Sequence, residues 1–422
     1  MGKLSHAEFI ILLLSMSIML ILSRVLAEFG RKVKFPMVMG EIVAGILLGP
    51  TVLGIISPDF FNHYFPAVGS VSIALDGIAK ISVVMMLFVT GMEVQLPIVL
   101  KQGKAAIYTS GMGMLIPFAS GFLVAWEFPS LFGIADEHYR LLFSLFLGTA
   151  LSISALPVIS RILIDMNMFK TKIGTIIIAS AMFNDLIGWL IFSFILGMMH
   201  TNGGEGDSVW LTIAYIVGFG LFMLTIGKII IDRSLPWIQK KLSWPGGVLS
   251  ISLGICFLCG AFTESIGLHA ILGAFIAGIA FGDSVHLNEK AREIIHQFVT
   301  NIFAPFFFVS IGLKVNFVSN FDAQLVVIIL VLAYIGKVVG ASLGAYWGGF
   351  TKNESLAVGF GMNARGAMEI ILGTLALNAG LINARIFVAL VVMALITSLT
   401  SGPLIHLFVD REDASKKQMK LF

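Results

Sequence analysis

The sequence predicts an all-α polytopic membrane protein with about 13 transmembrane helices. Hydrophobic residues make up 58% of the 422 residues and charged residues only 12%, whereas an ordinary soluble domain is about half apolar and about a quarter charged. Apolar runs of about 20 residues, the length that a helix needs to cross a bilayer, recur along almost the whole chain. The short alternating segments that are typical of an outer-membrane β-barrel are not found.

The apolar runs give the order of the predicted spans. The second and ninth are short, and a link at residues 263–266 separates the eighth from the ninth. The predicted spans lie near residues 7–28, 35–50, 72–97, 104–126, 138–164, 172–199, 209–231, 246–263, 266–282, 294–314, 324–348, 355–379 and 384–408.

Lysine and arginine fall on every second loop, and this pattern predicts an orientation. The positive-inside rule places those loops in the cytoplasm, the N-terminus outside and the C-terminus inside, in the cell inner (plasma) membrane. The basic loop residues are Arg31, Lys32 and Lys34, then Lys101 and Lys104, Lys170 and Lys172, Arg233, Lys240 and Lys241, Lys290 and Arg292, Lys352, and Arg411, Lys416, Lys417 and Lys420. The outward exceptions are Arg140, Lys314 and Arg385.

Two of the predicted spans are interrupted by residues that disfavour a regular helix. The fifth contains the stretch 149–157, which ends in Pro157; this proline removes a backbone donor and clashes with the preceding turn. The twelfth contains the glycine-rich polar stretch 359–366. The three-span groups 104–199 and 324–408 therefore have corresponding layouts, and broken helices at matching positions of two halves point to a transporter's midplane site. Kinks that serve only packing are the alternative.

Charged residues within the spans are the second pointer to a site. Asp185 lies near the middle of span six beside the neutral Asn184, and Lys337 lies near the middle of span eleven. A charge at the bilayer centre costs about 2.5–3.5 kcal/mol on insertion scales, so such residues need a partner, water or a function. The glycines that accompany Lys337 at four-residue spacing, and that permit close helix approach, are Gly336, Gly340 and Gly344.

A carboxylate beside two broken helices suits a hard monovalent cation. Unwound carbonyls and the hydroxyls of Thr149, Ser152 and Ser154 would supply further oxygen ligands to the cation at Asp185. Desolvation also favours the protonated form of a carboxyl group. A site that holds either species couples the two flows by competition. The alternative for Asp185 is a fixed ion pair with Lys337 that only holds helices together.

The other intramembrane charges are predicted to be structural or modulatory. Lys337 pairs with a carboxylate or donates to broken-helix carbonyls. Arg365 and Glu369, one turn apart, form a local brace at the second break. Glu41, in short span two, lines the ion path or caps its helix.

Four motifs resemble those of the monovalent cation:proton antiporter-2 family, within the sodium/proton antiporter superfamily. The resemblance covers nearly the whole chain. The motifs are PMVMGEIVAGILLGP at 36–50, LFVTGME at 87–93, GLHAILGAFIAG at 267–278 and the pair Asn184-Asp185.

This resemblance implies the sodium/proton antiporter fold, in which inverted repeats cross at two broken helices. It also implies a homodimer in which a core moves like an elevator against a dimerisation panel. The implied core is 104–200 with 324–408, the panel is 7–100 with 246–314, and 209–232 is a linker helix. A short cytoplasmic tail, 409–422, follows the last span.

The resemblance also implies roles for individual residues. Asp185 matches the ion-binding carboxylate, Asn184 the other motif position, and Lys337 the lysine that pairs with that position in two-aspartate members. Those members are typically electrogenic. Because Asn184 leaves one carboxylate, we expect one proton per Na+ or K+ and hence electroneutral exchange.

Other function classes fit the residues less well. A potassium efflux channel-like system would need a separate regulatory subunit. An organic-anion symporter could use Arg365, but the polar set is small and rich in oxygen, which suits a bare cation. No nucleophile, metal cluster or phosphate loop indicates an enzyme or a cofactor. The net charge of +3 is spread over loops and predicts no nucleic-acid partner.

Overall fold

The chain folds as an all-helical membrane protein, as predicted. The computed structural model describes residues 4–32, 37–94, 103–134, 137–166, 168–169, 171–200, 209–266 and 268–419, and no β-strand occurs in these ranges. Ten described helices are long and apolar enough to cross a membrane, and three shorter apolar helices accompany them. The predicted total of about 13 spans is not established by this count. Lys34, Lys101, Lys170 and Lys420 lie outside the described residues.

The chain divides into two compact units, of which the first comprises Met1–Gln95 and His200–Asn320. Its helices are α1 (His6–Lys32), α2 (Met37–Leu48), α3 (Leu53–Ile56), α4 (Pro58–Tyr64), α5 (Ser70–Glu93), α10 (Val209–Phe222), α11 (Lys228–Lys241), α12 (Gly246–Ser265), α13 (Ala270–Gly282), α14 (Glu289–Phe298) and α15 (Ala304–Lys314). One π-helical turn, Met223–Gly227, joins α10 to α11, and another, Val299–Phe303, joins α14 to α15.

The second unit comprises Leu96–Met199 and Phe321–Phe422. Its helices are α6 (Gly103–Glu127), α7 (Glu137–Ser152), α8 (Leu156–Asp165), α9 (Lys172–His200), α16 (Ala323–Trp347), α17 (Lys352–Met362), α18 (Ala367–Asn378) and α19 (Ala384–Met419).

The glycine ridge of α16 lets α6 approach closely, as the spacing predicts. A Cβ atom built on Gly336 would lie 2.8 Å from the Cα of Pro117, and one built on Gly344 would lie 2.7 Å from the Cα of Thr109. Any side chain larger than hydrogen would therefore push the two helices apart. This close pair holds Lys337 fully buried between the glycines.

Two helices continue beyond the predicted end of their span. The linker helix was expected to end at 232, but α11 runs to Lys241, because Ile231, Leu235 and Ile238 continue a buried stripe at helical spacing. The predicted tail 409–422 is helical as far as Met419. Its residues, which include alanine, glutamate, lysine and arginine, are good helix formers. Hydropathy marks where a span ends, and these helices do not stop there.

Candidate ion-binding site

The first break lies between α7 and α8. It consists of Ile153, Ser154 and Ala155, and Pro157 stands in the first turn of α8 rather than inside the break. A proline is well tolerated there because the first amide groups of a helix have no intrahelical acceptor. Pro157 thus sets where the second half-helix starts.

The second break, residues 363–366, lies between α17 and α18. The glycine-rich stretch was predicted to be irregular from residue 359, but α17 stays helical to Met362. Gly359 serves close packing instead: a Cβ atom on it would lie 2.7 Å from the carbonyl oxygen of Val338 on α16.

The two breaks are joined by hydrogen bonds. The amide of Ala155 donates to the carbonyl of Ala364 at 3.1 Å, and the hydroxyl of Ser154 donates to the carbonyl of Met362 at 2.8 Å. Backbone groups that leave their own helices are thereby satisfied at membrane depth, where water cannot serve them. We call residues 153–155 and 363–366 the crossing.

Helix α9 packs across this crossing and carries Asp185. A Cβ atom on Gly188 would lie 2.7 Å from the Cδ1 atom of Ile153 in the first break. One on Gly361, at the end of α17, would lie 2.6 Å from Ile177 of α9. Asp185 lies between these two contacts and one turn before Gly188, so it shares that side of the helix. Its side chain is fully buried.

Asn184 and Lys337 meet beside Asp185. In the amide orientation that satisfies its neighbours, the Asn184 nitrogen donates to the Ser110 hydroxyl at 2.7 Å, and its oxygen accepts from the Lys337 ammonium at 2.9 Å. The same ammonium donates to the carbonyl of Ser152, the last residue of α7. Lys337 therefore links the first break to α9.

Arg365, in the second break, bonds to the end of α7 that precedes the first break. Its guanidinium donates to the Ala150 carbonyl at 2.8 Å and to the Leu151 carbonyl. It also forms a buried ion pair with Glu369 at 3.1 Å. With Lys337, it covers the carbonyl end of α7, which carries the negative end of the helix dipole. The predicted local brace thus reaches a helix more than 200 residues away in sequence.

Comparison with known proteins decides the family. The family model described as "Sodium/hydrogen exchanger, transmembrane" matches residues 16–411. The chain belongs to the sodium/hydrogen exchanger family. This confirms the predicted membership of a monovalent cation:proton antiporter family, whose members are transporters in the lipid bilayer rather than enzymes.

Relatives of this sodium/hydrogen exchanger family member include plant and cyanobacterial proteins. The chain is 32% identical over 404 residues to cation/H+ antiporter 17 of Arabidopsis thaliana, covering 94% of this chain and 48% of that protein. It therefore spans about half the length of that plant relative. It is 29% identical over 399 residues to the Na+/H+ antiporter NhaS4 of Synechocystis, covering 94% and 96% of the two chains.

A solved structure shares the fold of this exchanger family member. The sodium proton antiporter MjNhaP1 from Methanocaldococcus jannaschii superposes with a TM-score of 0.61 at 16% identity. The superposition covers 94% of this chain and 96% of that chain. The predicted fold class is therefore confirmed.

The hydroxyls predicted as cation ligands of this exchanger family member already have acceptors for their protons. Thr149 donates to the Leu145 carbonyl and Ser152 to the Gly148 carbonyl, each at 2.7 Å. A hydroxyl whose proton is fixed in this way keeps lone pairs for another group. Cation ligation by Thr149, Ser152 and Ser154 stays a prediction.

Glu41 belongs to the first unit. It lies on α2 of the first unit, largely buried, whereas Asp185, Lys337 and both breaks belong to the second unit. That Glu41 lines the ion path or caps its helix stays a prediction.

Three polar residues near the crossing were not singled out from the sequence. Ser110 bonds to Asn184, and Ser398 donates to the carbonyl of Arg365. Asn363 lies in the second break and is fully buried. A usable signal existed for Asn363, an amide inside the interrupted stretch, and for Ser398, which lies in the hydroxyl-rich run 397–401. Ser110 lies in a predicted span without a break or a charge, so nothing in the sequence distinguished it.

Proposed function

We propose that the chain exchanges a monovalent cation, Na+ or K+, for H+ across the membrane, and that Asp185 binds the cation and the proton in turn. The observation that carries this proposal is the placement of a fully buried carboxyl group where α9 packs against two crossed helix breaks. Midplane sites of secondary transporters have this construction. The names of the plant and cyanobacterial relatives, both cation/proton antiporters, support the same exchange.

Burial of Asp185 gives the coupling its physical reason. An ionised carboxylate removed from water is costly, and either a bound cation or a bound proton neutralises it. The two loaded forms carry the same charge, so each can cross the hydrophobic barrier. The empty, ionised form would cross at a much higher cost. Uncoupled movement is thereby suppressed, and each cation that leaves is replaced by a proton.

The proposed stoichiometry is one proton per cation, which makes the exchange electroneutral. Asn184 stands beside Asp185 and does not titrate, so this motif holds one carboxyl group. Lys337 donates to a carbonyl and to the Asn184 amide oxygen, an arrangement that suits a structural brace.

The proposed movement is of the elevator type. Both breaks, Asp185, Lys337 and Arg365 lie within the unit Leu96–Met199 with Phe321–Phe422. A single compact body therefore contains the whole candidate site and could carry it as the transport core. The other unit then contains the panel of a homodimer. The proposal includes an outside N-terminus and a cytoplasmic C-terminus in the inner membrane.

Proton flux in proteoliposomes tests the proposed exchange. Purified protein is reconstituted with a trapped pH dye, the membrane potential is clamped, and Na+, K+ and Li+ are added in turn. We expect at least one cation to collapse a preset pH gradient without a transport current. Cation movement without proton movement would contradict the proposal and would favour a channel.

A further inference from the structure

The second break contains a polar side chain that the fold does not satisfy. Asn363 is fully buried, and neither its Oδ1 nor its Nδ2 has a hydrogen-bond partner among the described residues. A buried amide without partners costs free energy, and buried polar groups in proteins are nearly always paired. An apolar residue of the same shape would avoid this cost, which points to a bound group that meets the amide.

Asn363 differs in this respect from the other polar side chains of the crossing. Ser154 donates to the Met362 carbonyl, and both terminal nitrogens of Arg365 donate to carbonyls of α7. The backbone on either side of Asn363 is also fixed, because the carbonyls of Met362 and Ala364 accept hydrogen bonds from the first break. The amide is therefore held at the crossing by a rigid backbone while its own polar atoms stay uncommitted.

We propose that Asn363 is a further binding residue for the transported monovalent cation, which its side-chain carbonyl oxygen coordinates at the crossing. This inference rests on the proposed cation/proton exchange at Asp185. Amide oxygens are common ligands of hard cations. A neutral ligand also preserves the charge balance: the cation and the one carboxylate cancel, whereas a second carboxylate would call for a second proton.

The test uses three variants of the full-length protein. Asn363→Leu keeps the shape and removes both polar atoms. Asn363→Asp keeps an oxygen at the same position. Asn378→Ala changes an exposed asparagine of α18 in the same unit and serves as the matched control. For each variant we would measure the melting temperature without Na+ and K+, the shift that saturating cation adds, and the KM for cation-driven proton flux.

The expected result separates a ligand from a structural residue. Asn363→Leu should melt at or above the wild-type temperature without cation, because it removes unsatisfied buried groups. Its KM for the cation should rise at least about tenfold, the loss of one ion–dipole contact comparable to a charged hydrogen bond. Asn363→Asp should recover cation binding, and the control should match the wild type in both measurements.

Three outcomes would overturn the inference. One is a wild-type KM in Asn363→Leu. Another is a clear fall in its cation-free melting temperature, or failure to fold, since either would mean that the amide has a partner within the protein. The third is an Asn363→Asp variant as weak as Asn363→Leu. The wild type measured in the same series keeps the two proposals apart: if it shows no cation-coupled proton flux, the proposed function itself fails.

Discussion

At the residue scale, Asp185 is the group on which the proposed exchange depends. Asp185→Asn keeps the size and polarity of the side chain and removes the titratable charge, so neither cation nor proton is bound in its place. We expect cation-driven proton flux to fall to the background of empty liposomes, while gel filtration and the melting temperature show a folded protein. Flux at the wild-type rate in this variant would reject Asp185 as the coupling site.

The control for this variant is Asp322→Asn. Asp322 lies in the same unit, and its carboxylate caps α16 by accepting from the Leu325 amide at 3.1 Å. Asparagine caps a helix about as well as aspartate. Asp322→Asn should therefore transport and melt like the wild type, which shows that loss of a carboxylate as such is harmless.

Lys337 is the second residue for which the structure predicts an outcome. Lys337→Ala leaves the Ser152 carbonyl and the Asn184 amide oxygen buried without their donor. Each of these two unsatisfied acceptors costs about 1–3 kcal/mol, so we expect the free energy of unfolding to fall by about 2–6 kcal/mol. Exposed Lys352 on α17 is the control, and Lys352→Ala should have little effect.

Transport by Lys337→Ala distinguishes a brace from a proton carrier. If Lys337 is a brace, the molecules of the Lys337→Ala variant that remain folded should still exchange cation for proton. A variant that melts like the wild type yet transports nothing would assign Lys337 to the proton pathway and would contradict the electroneutral stoichiometry.

At the scale of helices, the close contact between α6 and α16 positions Lys337 at the site. A Cβ atom on Gly344 would lie 2.6 Å from the carbonyl carbon of Tyr108, so Gly344→Ala must move the helices apart. We expect a destabilisation of about 1–3 kcal/mol, the usual cost of overpacking. Gly111→Ala is the control, because nothing lies within 4 Å of a Cβ atom there. That change should be neutral or slightly stabilising, since alanine favours a helix over glycine.

Thermal melting of the two variants in one detergent measures this difference. Equal melting temperatures for Gly344→Ala and Gly111→Ala would show that the two helices can separate at no cost. The tight ridge would then not be what positions Lys337.

The sequence predicted these elements better than it predicted their connections. Runs of apolar residues located the spans, and Pro157 with the glycine-rich stretch located both breaks, because each feature acts on its own neighbourhood. The pairing of Arg365 with Ala150 and Leu151 was not predictable. Those acceptors are backbone carbonyls, which every residue has, and they lie more than 200 residues away.

The site residues show the same division. Asp185 and Lys337 were identified because a charge in an apolar span is conspicuous whatever its partners are. Ser110 and Asn363 are neutral. Only the folded arrangement shows that Ser110 bonds to Asn184 and that Asn363 has no hydrogen-bond partner among the described residues. The predicted ligand hydroxyls were chosen by residue type, whereas their hydrogen bonds depend on packing.

At the scale of the whole molecule, the charge moved in each cycle follows from the number of titrating groups. Asn184→Asp places a second carboxyl group beside the Lys337 ammonium. We expect this variant to carry a second proton and to become sensitive to membrane potential: an inside-negative potential should accelerate proton entry coupled to cation exit. The wild type should be insensitive. Asn383→Asp, at an exposed helix cap where aspartate serves equally well, is the control. Equal insensitivity of Asn184→Asp and the wild type would contradict this count of charges.

The most direct test of the central claim is the number of protons released when the cation binds. Calorimetric titration of purified protein with Na+ or K+, in two buffers of different ionisation enthalpy at several pH values, measures this number. Competition at Asp185 predicts a release that approaches one proton per bound cation as the pH falls. It also predicts neither binding heat nor proton release in Asp185→Asn. Cation binding without proton release at every pH, or an unchanged release in Asp185→Asn, would show that cation and proton do not share this carboxyl group.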